Sequence, residues 1–412
     1  MNVPPDLPSL TVGLLWHSFS SDNLGVGALS QSQLALCTDA AARAGVNLRF
    51  VVLGTRGGSS YGLEDPRLQI GGVINLRELV YRRSSFPAEV ERCDLVLDIG
   101  EGDSFADIYG FKRFLTFILT KIIVLAKRKP LVLSPQTIGP FDSWYARLMA
   151  GQVMRRCRKV FARDTLSFNY LHQLGLRNNV AEVVDVAFRL PFQAPAPKRD
   201  GKVRIGINVS GLLFSGGYTG SNQFGLTLDY VALTRALLTE WSADPNHEIW
   251  LVPHVLSDDL PRDDDRIASA QLKQEFPNVQ LAPEFASPSE AKSFIAGMDF
   301  VTGARMHACI AAFSSGVPVV PIAYSRKFNG LFSMLGYGWV ADAKAMNNAD
   351  ALAMILRGFG EREQLAREIR AGNDKAFSRL DGYTETLAQL FGELAQRRQP
   401  AGSAQVPLAT PQ

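Results

Sequence analysis

The stretch DFVTGARMHACIAAFSSGVPVVPIAY (299–324) decides the fold. Its two ends, DFVTG and VPVVPIAY, are short runs rich in Val and Ile, and ACIAAFSSG between them has the length and closing glycine of a short helix. Strands that are apolar on both faces and joined through a helix belong to a parallel sheet covered on both sides. Arg305 and His307 fall where the first strand ends and the helix begins, the edge at which such sheets bind ligands. A helix N-terminus offers free N–H groups and partial positive charge, so a guanidinium there makes a site for phosphate or carboxylate. A histidine beside it adds a proton donor that titrates near neutral pH. The competing reading is a capped helix with a buried histidine bonded to backbone.

Working outward, the same pattern recurs along the chain. Strands are expected at 10–16, 48–54, 94–100, 130–135 and 159–164, then at 203–210, 248–254, 299–303 and 317–324. Between the two sets lies PFQAPAPKRDGK (191–202), a linker by composition. A chain of 412 residues exceeds what one core usually supports. The expected fold is therefore α/β, with two doubly wound Rossmann-like domains at 10–192 and 201–397 and an interdomain cleft. Two helices are expected after residue 345, near 348–371 and 375–397, the second packing back across the domains. The tail RQPAGSAQVPLATPQ (398–412) has the composition of a disordered segment.

Composition sets bounds on partners and location. Lys and Arg total 43 against 40 Asp and Glu, net +3, too balanced for a nucleic-acid footprint. The four cysteines are scattered without CxxC spacing, which disfavours a zinc site or a disulfide framework and fits a reducing cytoplasm. MNVPPDLPSL carries neither a basic n-region nor an apolar h-region, so no secretory signal is expected. FKRFLTFILTKIIVLAKRK (111–129) is broken by Lys121 and too short to span a bilayer. It reads as a core-facing helix or, with its basic ends, as a surface for peripheral attachment at the inner face of the cytoplasmic membrane.

Other strand ends add to the candidate site. Lys327 follows the 317–324 strand, Arg163 and Asp164 follow KVFA, and His254 closes LVPH. Each has a plain alternative: a solvated lysine, a structural salt bridge with a cap, a buried histidine. The loop EGDSFADIYG (101–110) holds Glu101, Asp103 and Asp107, carboxylates suited to accepting paired hydrogen bonds from sugar diols. A divalent metal is the rival reading, but no second acidic cluster stands at a strand end, and DDD at 263–265 reads as a solvated helix start. Gln136, Thr137 and Gly139 either line the cleft or redirect the chain. SGLLFSGGYTGSNQFG (210–225), with five glycines, reads as a flap and matches neither GxGxxG nor a P-loop.

The order DLVLDIGEGDSFADIYG, LVLSPQTIGPF, VFARDTLSFNYL, VVDVAFRL, LVPHV and VTGARMHACIAAFSSGVPVVPIAYSRKFNGL resembles the polysaccharide pyruvyltransferase family over roughly residues 12–342. The resemblance implies a GT-B-like fold and a phosphoenolpyruvate donor whose pyruvyl group becomes a ketal on a sugar, with no cofactor or metal. It also implies a saccharide acceptor, free or lipid-linked. On that reading Arg305, Lys327 and Arg163 hold the donor, His307 is the general acid, Glu101 and Asp103 orient the diol, and His254 and Asn23 contact substrate. Two departures stand out: Val26 occupies the place of the Asp in the family's NxGDxA-like loop, and GEGDSF replaces a GGGSF-like turn. The alternatives left open are a GT-B-type glycosyltransferase using a nucleotide sugar and a catalytically silent sugar-binding relative.

Overall fold

The apolar runs pair side by side, every ladder parallel, in two sheets. The first has the order β3-β2-β1-β4-β5-β6-β7, with β1 Ser9–Leu15, β2 Asn47–Gly54, β3 Leu68–Val73, β4 Leu95–Asp98, β5 Leu131–Gln136, β6 Lys159–Ala162 and β7 Val180–Glu182. The second has the order β10-β9-β8-β11-β12-β13, with β8 Val203–Asn208, β9 His247–Leu251, β10 Gln280–Leu281, β11 Phe300–Gly303, β12 Val319–Ala323 and β13 Ala341–Asp342. This computed structural model describes residues 7–54, 65–102, 104–196 and 201–398. Asp103, the linker residues 197–200 and the tail beyond Arg398 lie outside the described residues.

All nine expected strands are present, each within a few residues of its predicted span. The four unexpected ones, β3, β7, β10 and β13, sit at or beside sheet edges, where a strand has a partner on one side and little burial to write into its sequence.

The two domains make a GT-B-like pair. One apolar cluster runs from one face of the first sheet through the helix Leu24–Ala44 into the second sheet and the last helix. A second cluster, under the helices Phe111–Ala126 and Trp144–Arg156, belongs to the first sheet alone. Backbone joins the domains at the cleft floor: Leu24 N–H donates to His254 C=O at 3.1 Å and Leu256 N–H to Asp22 C=O at 2.8 Å. The IGPF turn contributes too, because the Arg326 guanidinium donates to the carbonyls of Ile138 and Gly139.

The C-terminal helices break at Glu361 rather than near 371, giving Asn348–Gly360 and a long Arg362–Arg398. The long helix starts on the second domain, where Asn373 Nδ2 donates to Phe313 C=O at 2.8 Å. It ends on the first, where Tyr383 Oη reaches Gln33 Oε1 at 2.9 Å and Arg398 pairs with Asp94 at 2.6 Å. It thus packs back across both domains as expected.

The segment 111–129 forms the helix Phe111–Ala126, and among the described residues no helix is long and apolar enough to cross a membrane. Lys121, which interrupts the apolar run in sequence, points inward, fully buried, and pairs with fully buried Asp98 at 2.8 Å. Breaking a buried pair from one side strands a charge in low dielectric. Lys121→Met should therefore cost about 3–5 kcal/mol in guanidinium unfolding, and adding Asp98→Asn should recover much of it.

Candidate active site

A cleft of about 430 Å³ opens between the carboxyl ends of the two sheets, within the usual range for small-molecule sites. The first domain lines it with Asn23, Val26, Glu101, Arg113 and Arg163, and the second with Tyr218, His254, Asp263, Arg305, His307, Tyr324 and Lys327. Seven residues singled out in the sequence thus converge there: Asn23, Glu101, Arg163, His254, Arg305, His307 and Lys327. Asp103 lies outside the described residues.

The TGARMHA segment turns from β11 into the helix Met306–Ser314 with Arg305 at the N-cap position in extended conformation. Asn208, at the end of neighbouring β8, accepts the Arg305 backbone N–H at 2.8 Å. The Arg305 guanidinium is not an isolated cation. Its Nε and Nη2 donate to Asp265 at 3.1 and 2.7 Å, and Nη2 also reaches Asp263 Oδ1 at 2.7 Å. Burial opposes its charge, and the carboxylates of Asp265 and Asp263 outweigh burial, so it stays protonated. Its Nη1 carries no hydrogen bond among the described residues. The acidic triplet 263–265 is therefore no solvated helix start. Asp265 is fully buried, Asp264 caps the helix Asp265–Glu275, and Asp263 faces the cleft. Asp264 is satisfied locally by Arg266, whereas the amides and guanidinium that satisfy Asp263 and Asp265 come from other strand ends, which is why the triplet looks solvated in sequence.

His307 sits one step inside the helix, and its Nε2 lies 3.7 Å from Asp185 Oδ2. Asp185 also takes the Arg163 Nη1 donor at 2.8 Å. Burial pushes the Asp185 carboxyl up, but Arg163, His307 and the Ala187 amide together pull it down to about 2, so it is ionised at neutral pH. Arg163 thus pairs with Asp185 and not with adjacent Asp164, which caps the helix Thr165–Gln173. Thr137 holds the Arg163 Nε at 2.9 Å, which explains the QTIGPF turn as a support behind the site. Among the described residues the buried Nη2 of Arg163 has no hydrogen-bond partner.

His254 is buried, and among the described residues neither ring nitrogen has a hydrogen-bond partner. Burial lowers its pKa to about 3, with the neighbouring His307 and Arg305 charges adding to the effect, so the ring is neutral at ordinary pH. Lys327 is half-buried at the rim, 3.3 Å from Tyr109 Oη. Glu101 is held at φ 56 between Gly100 and Gly102, both also at positive φ, and accepts from Arg113 at 3.1 Å. Asn23 caps the helix Leu24–Ala44 through the Gly25 N–H. Asp107, grouped with the sugar-binding carboxylates in sequence, instead accepts the N–H groups of Asp142 and Ser143, both at 2.9 Å, and fixes the start of the next helix. Among the described residues no three His, Cys, Asp or Glu side chains are grouped as a metal would require. Tyr218, from the glycine-rich 210–225 segment, reaches Asp263 at 3.3 Å, so this segment folds over one wall of the cleft.

Sequence reasoning missed Asp185, Asp263 and Asp265. The only trace of Asp185 is a lone acid inside the apolar run VVDVAF.

The sequence profile of "Polysaccharide pyruvyl transferase" matches residues 33–326. The chain belongs to that family. As a polysaccharide pyruvyl transferase it is a transferase, and the match holds all the described cleft residues named above except Asn23 and Val26 before it and Lys327 just after it. The amylovoran biosynthesis protein AmsJ of Erwinia amylovora is 20% identical over 299 residues, 69% of this chain and 70% of AmsJ. Among solved structures, a putative UDP-N-acetylglucosamine 2-epimerase from Listeria monocytogenes aligns with a TM-score of 0.57 at 12% identity, covering 93% of this chain and 95% of its own. The UDP-GlcNAc 2-epimerase from Neisseria meningitidis bound to UDP-GlcNAc gives 0.54 at 11%, covering 94% and 99%. At such identities the likeness concerns the fold alone.

Two predictions arise from this geometry. A Cβ on Gly25 would lie 2.4 Å from His307 Nδ1, so Gly25→Ala should displace the ring. If the ring takes part in proton transfer, turnover should drop by about 10²–10⁴-fold, with the circular dichroism spectrum unchanged. The second concerns pH. His254 titrates near 6.5 when unfolded and at about 3 when folded, and burial gives His17 the same shift. Between those values only the unfolded chain holds the extra protons. The stability from keeping each ring neutral is complete above pH 6.5 and is lost as pH falls toward 3. Each contributes about 1.4 kcal/mol per pH unit in that window. Urea unfolding between pH 6.5 and 5 should show this slope, and His17→Gln should roughly halve the part due to the two rings.

Proposed function

We propose that the enzyme takes phosphoenolpyruvate as donor and closes its pyruvyl carbon into a ketal across two hydroxyls of a polysaccharide or its precursor. One observation carries this reading: among the described residues, Arg163 Nη2 and both ring nitrogens of His254 are buried without a hydrogen-bond partner, in residues lining one cleft that also holds His307, Arg305 and Lys327. Unsatisfied buried polar groups are rare and call for a partner, and a compact anion bearing phosphate and carboxylate supplies the acceptors. The family, and the role in amylovoran biosynthesis named for AmsJ, agree with an exopolysaccharide acceptor.

In the proposed reaction Lys327, Arg163 and the remaining Arg305 donor hold the phosphate and carboxylate. His307, oriented by ionised Asp185, gives a proton to the methylene carbon, and positive charge develops at C2. A sugar hydroxyl adds there and releases its proton to Glu101, a carboxylate with which the first domain lines the cleft. A second hydroxyl then bonds to the same carbon as the bond to phosphate breaks, its proton leaving with the phosphate, and the ketal closes. The donors are fixed before the substrate arrives, which is the arrangement that favours a developing charge.

Calorimetric titration with phosphoenolpyruvate and with UDP- and GDP-sugars tests the donor, and phosphate release with mass spectrometry of the glycan tests the product. Lys327→Ala should weaken phosphoenolpyruvate binding by about 1.5–3 kcal/mol, the range for a hydrogen bond to a charged group. His307→Gln should leave binding largely intact and cut turnover about 10²–10⁴-fold. Failure of the unmodified protein to bind phosphoenolpyruvate at millimolar concentration, or tighter binding of a nucleotide sugar, would overturn the assignment.

A further inference from the structure

We propose that the outer face of the helices Phe111–Ala126 and Trp144–Arg156 docks on an anionic lipid bilayer. The first helix buries Phe114, Phe117, Ile118 and Val124 on its inner side. Its outer side is apolar as well. Phe111, Leu115, Leu119 and Ile122 recur every three or four residues along one stripe, with Phe111 58% and Ile122 42% exposed. A helix apolar all round is normally covered by something. Next to it Trp144 and Leu148, one turn apart, are 71% and 55% exposed, and Tyr145 bridges the two helices through ring contacts with Phe111 at 6.0 Å and Trp144 at 6.2 Å.

Charge decides what covers this face. Residues 111–162 hold eleven Lys and Arg against a single acid, Asp142; Lys121 is buried on Asp98, and Arg113, Lys127 and Arg158 pair with Glu101, Glu91 and Glu393, which leaves the surface charge of this face to the remaining basic residues. Lys112, Arg147, Arg155 and Arg156 stand exposed around the apolar residues. A second copy of the chain would bring the same basic surface against itself, whereas anionic headgroups complement it. Exposed Trp with a basic rim is the composition of a surface lying in the headgroup region rather than crossing it.

The patch is continuous with the cleft. Tyr109, two residues before Phe111, lies between Arg113 and Lys327, each cation 5.9 Å from its ring centroid, and both cations line the cleft. Docking on this face brings the Tyr109 edge of the cleft close to the membrane. Resting on the function proposed above, the acceptor is then a saccharide carried on a membrane lipid.

Flotation with vesicles of phosphatidylcholine, alone and mixed with phosphatidylglycerol, tests the docking without any donor or acceptor. The unmodified protein should float with the phosphatidylglycerol vesicles and be released by added salt. Trp144→Ser combined with Leu148→Ser should lower the bound fraction at least about tenfold, with its circular dichroism spectrum and its phosphoenolpyruvate-dependent phosphate release on a soluble acceptor unchanged. Absence of flotation, or equal flotation of the variant, overturns the docking. So does a dimer, seen by light scattering, that the variant abolishes, because the face then covers a second copy. Flotation without phosphate release would leave the docking standing and remove the proposed reaction, and the converse would remove only the docking.

Discussion

Asp265 is a carboxylate with no exposure to water, and the cleft is organised around keeping it satisfied. An unpaired charge in that position would be prohibitive. It is tolerated because the N–H groups of Gly211, His254 and Val255 and the Arg305 guanidinium donate to its two oxygens at 2.7 to 3.1 Å. Those donors come from the residues that follow β8, β9 and β11. One buried side chain therefore sets the relative positions of three strand ends. Arg305 and His307 inherit their placement from it, as does the unpartnered ring of His254.

The first domain repeats this logic on a smaller scale. Asp185 is ionised and fully buried, with Arg163 on one side and His307, from the other domain, 3.7 Å away. The two carboxylate centres offset most of the positive charge in the cleft, so the cations can be held close together without ligand. What stays unspent is directional: individual N–H groups aimed into the cavity. A diffuse basic surface would attract any polyanion, whereas single fixed donors select by the positions of acceptor oxygens.

Much of this was legible in the sequence, for definite reasons. Strands β1, β2, β4, β5, β8, β11 and β12 are central or nearly so, and burial on both faces writes them as continuous apolar runs. Strand ends in such sheets face ligands, which brought Arg163, His254, Arg305, His307 and Lys327 into view. The misreadings share one cause. Asp263, Asp265, Asp185 and Asp107 were misread or overlooked because the fate of a carboxylate depends on donors distant in sequence. Asp107 ends on the amides of Asp142 and Ser143, and Asp265 on groups from residues 211 to 305. Lys121 is the same lesson with the sign reversed, a cation that interrupts an apolar run and yet faces the core. The edge strands β10 and β13, two residues each, are too short for any periodicity to register.

The contacts that build the site also restrict how it moves. At the cleft floor Asn23 and Val255 form an antiparallel bridge, flanked by the Leu24–His254 and Leu256–Asp22 hydrogen bonds, so the domains are stitched by backbone beside the cleft. The long C-terminal helix fastens them again from behind, with fully buried Tyr383 bonded to Gln33 and Ser134. Opening the cleft by rigid rotation would break both sets at once. The glycine-rich segment is held more lightly: Tyr218 touches Asp263 by a single 3.3 Å bond, and Gly216, Gly217 and Gly220 all adopt positive φ. Local unfolding concentrates where buried contacts are fewest. Motion at the cleft mouth is therefore expected in this segment before any between the domains. Because Tyr218 donates to the same Asp263 that pairs with Arg305, an anion that engages Arg305 acts on the very carboxylate that holds the segment.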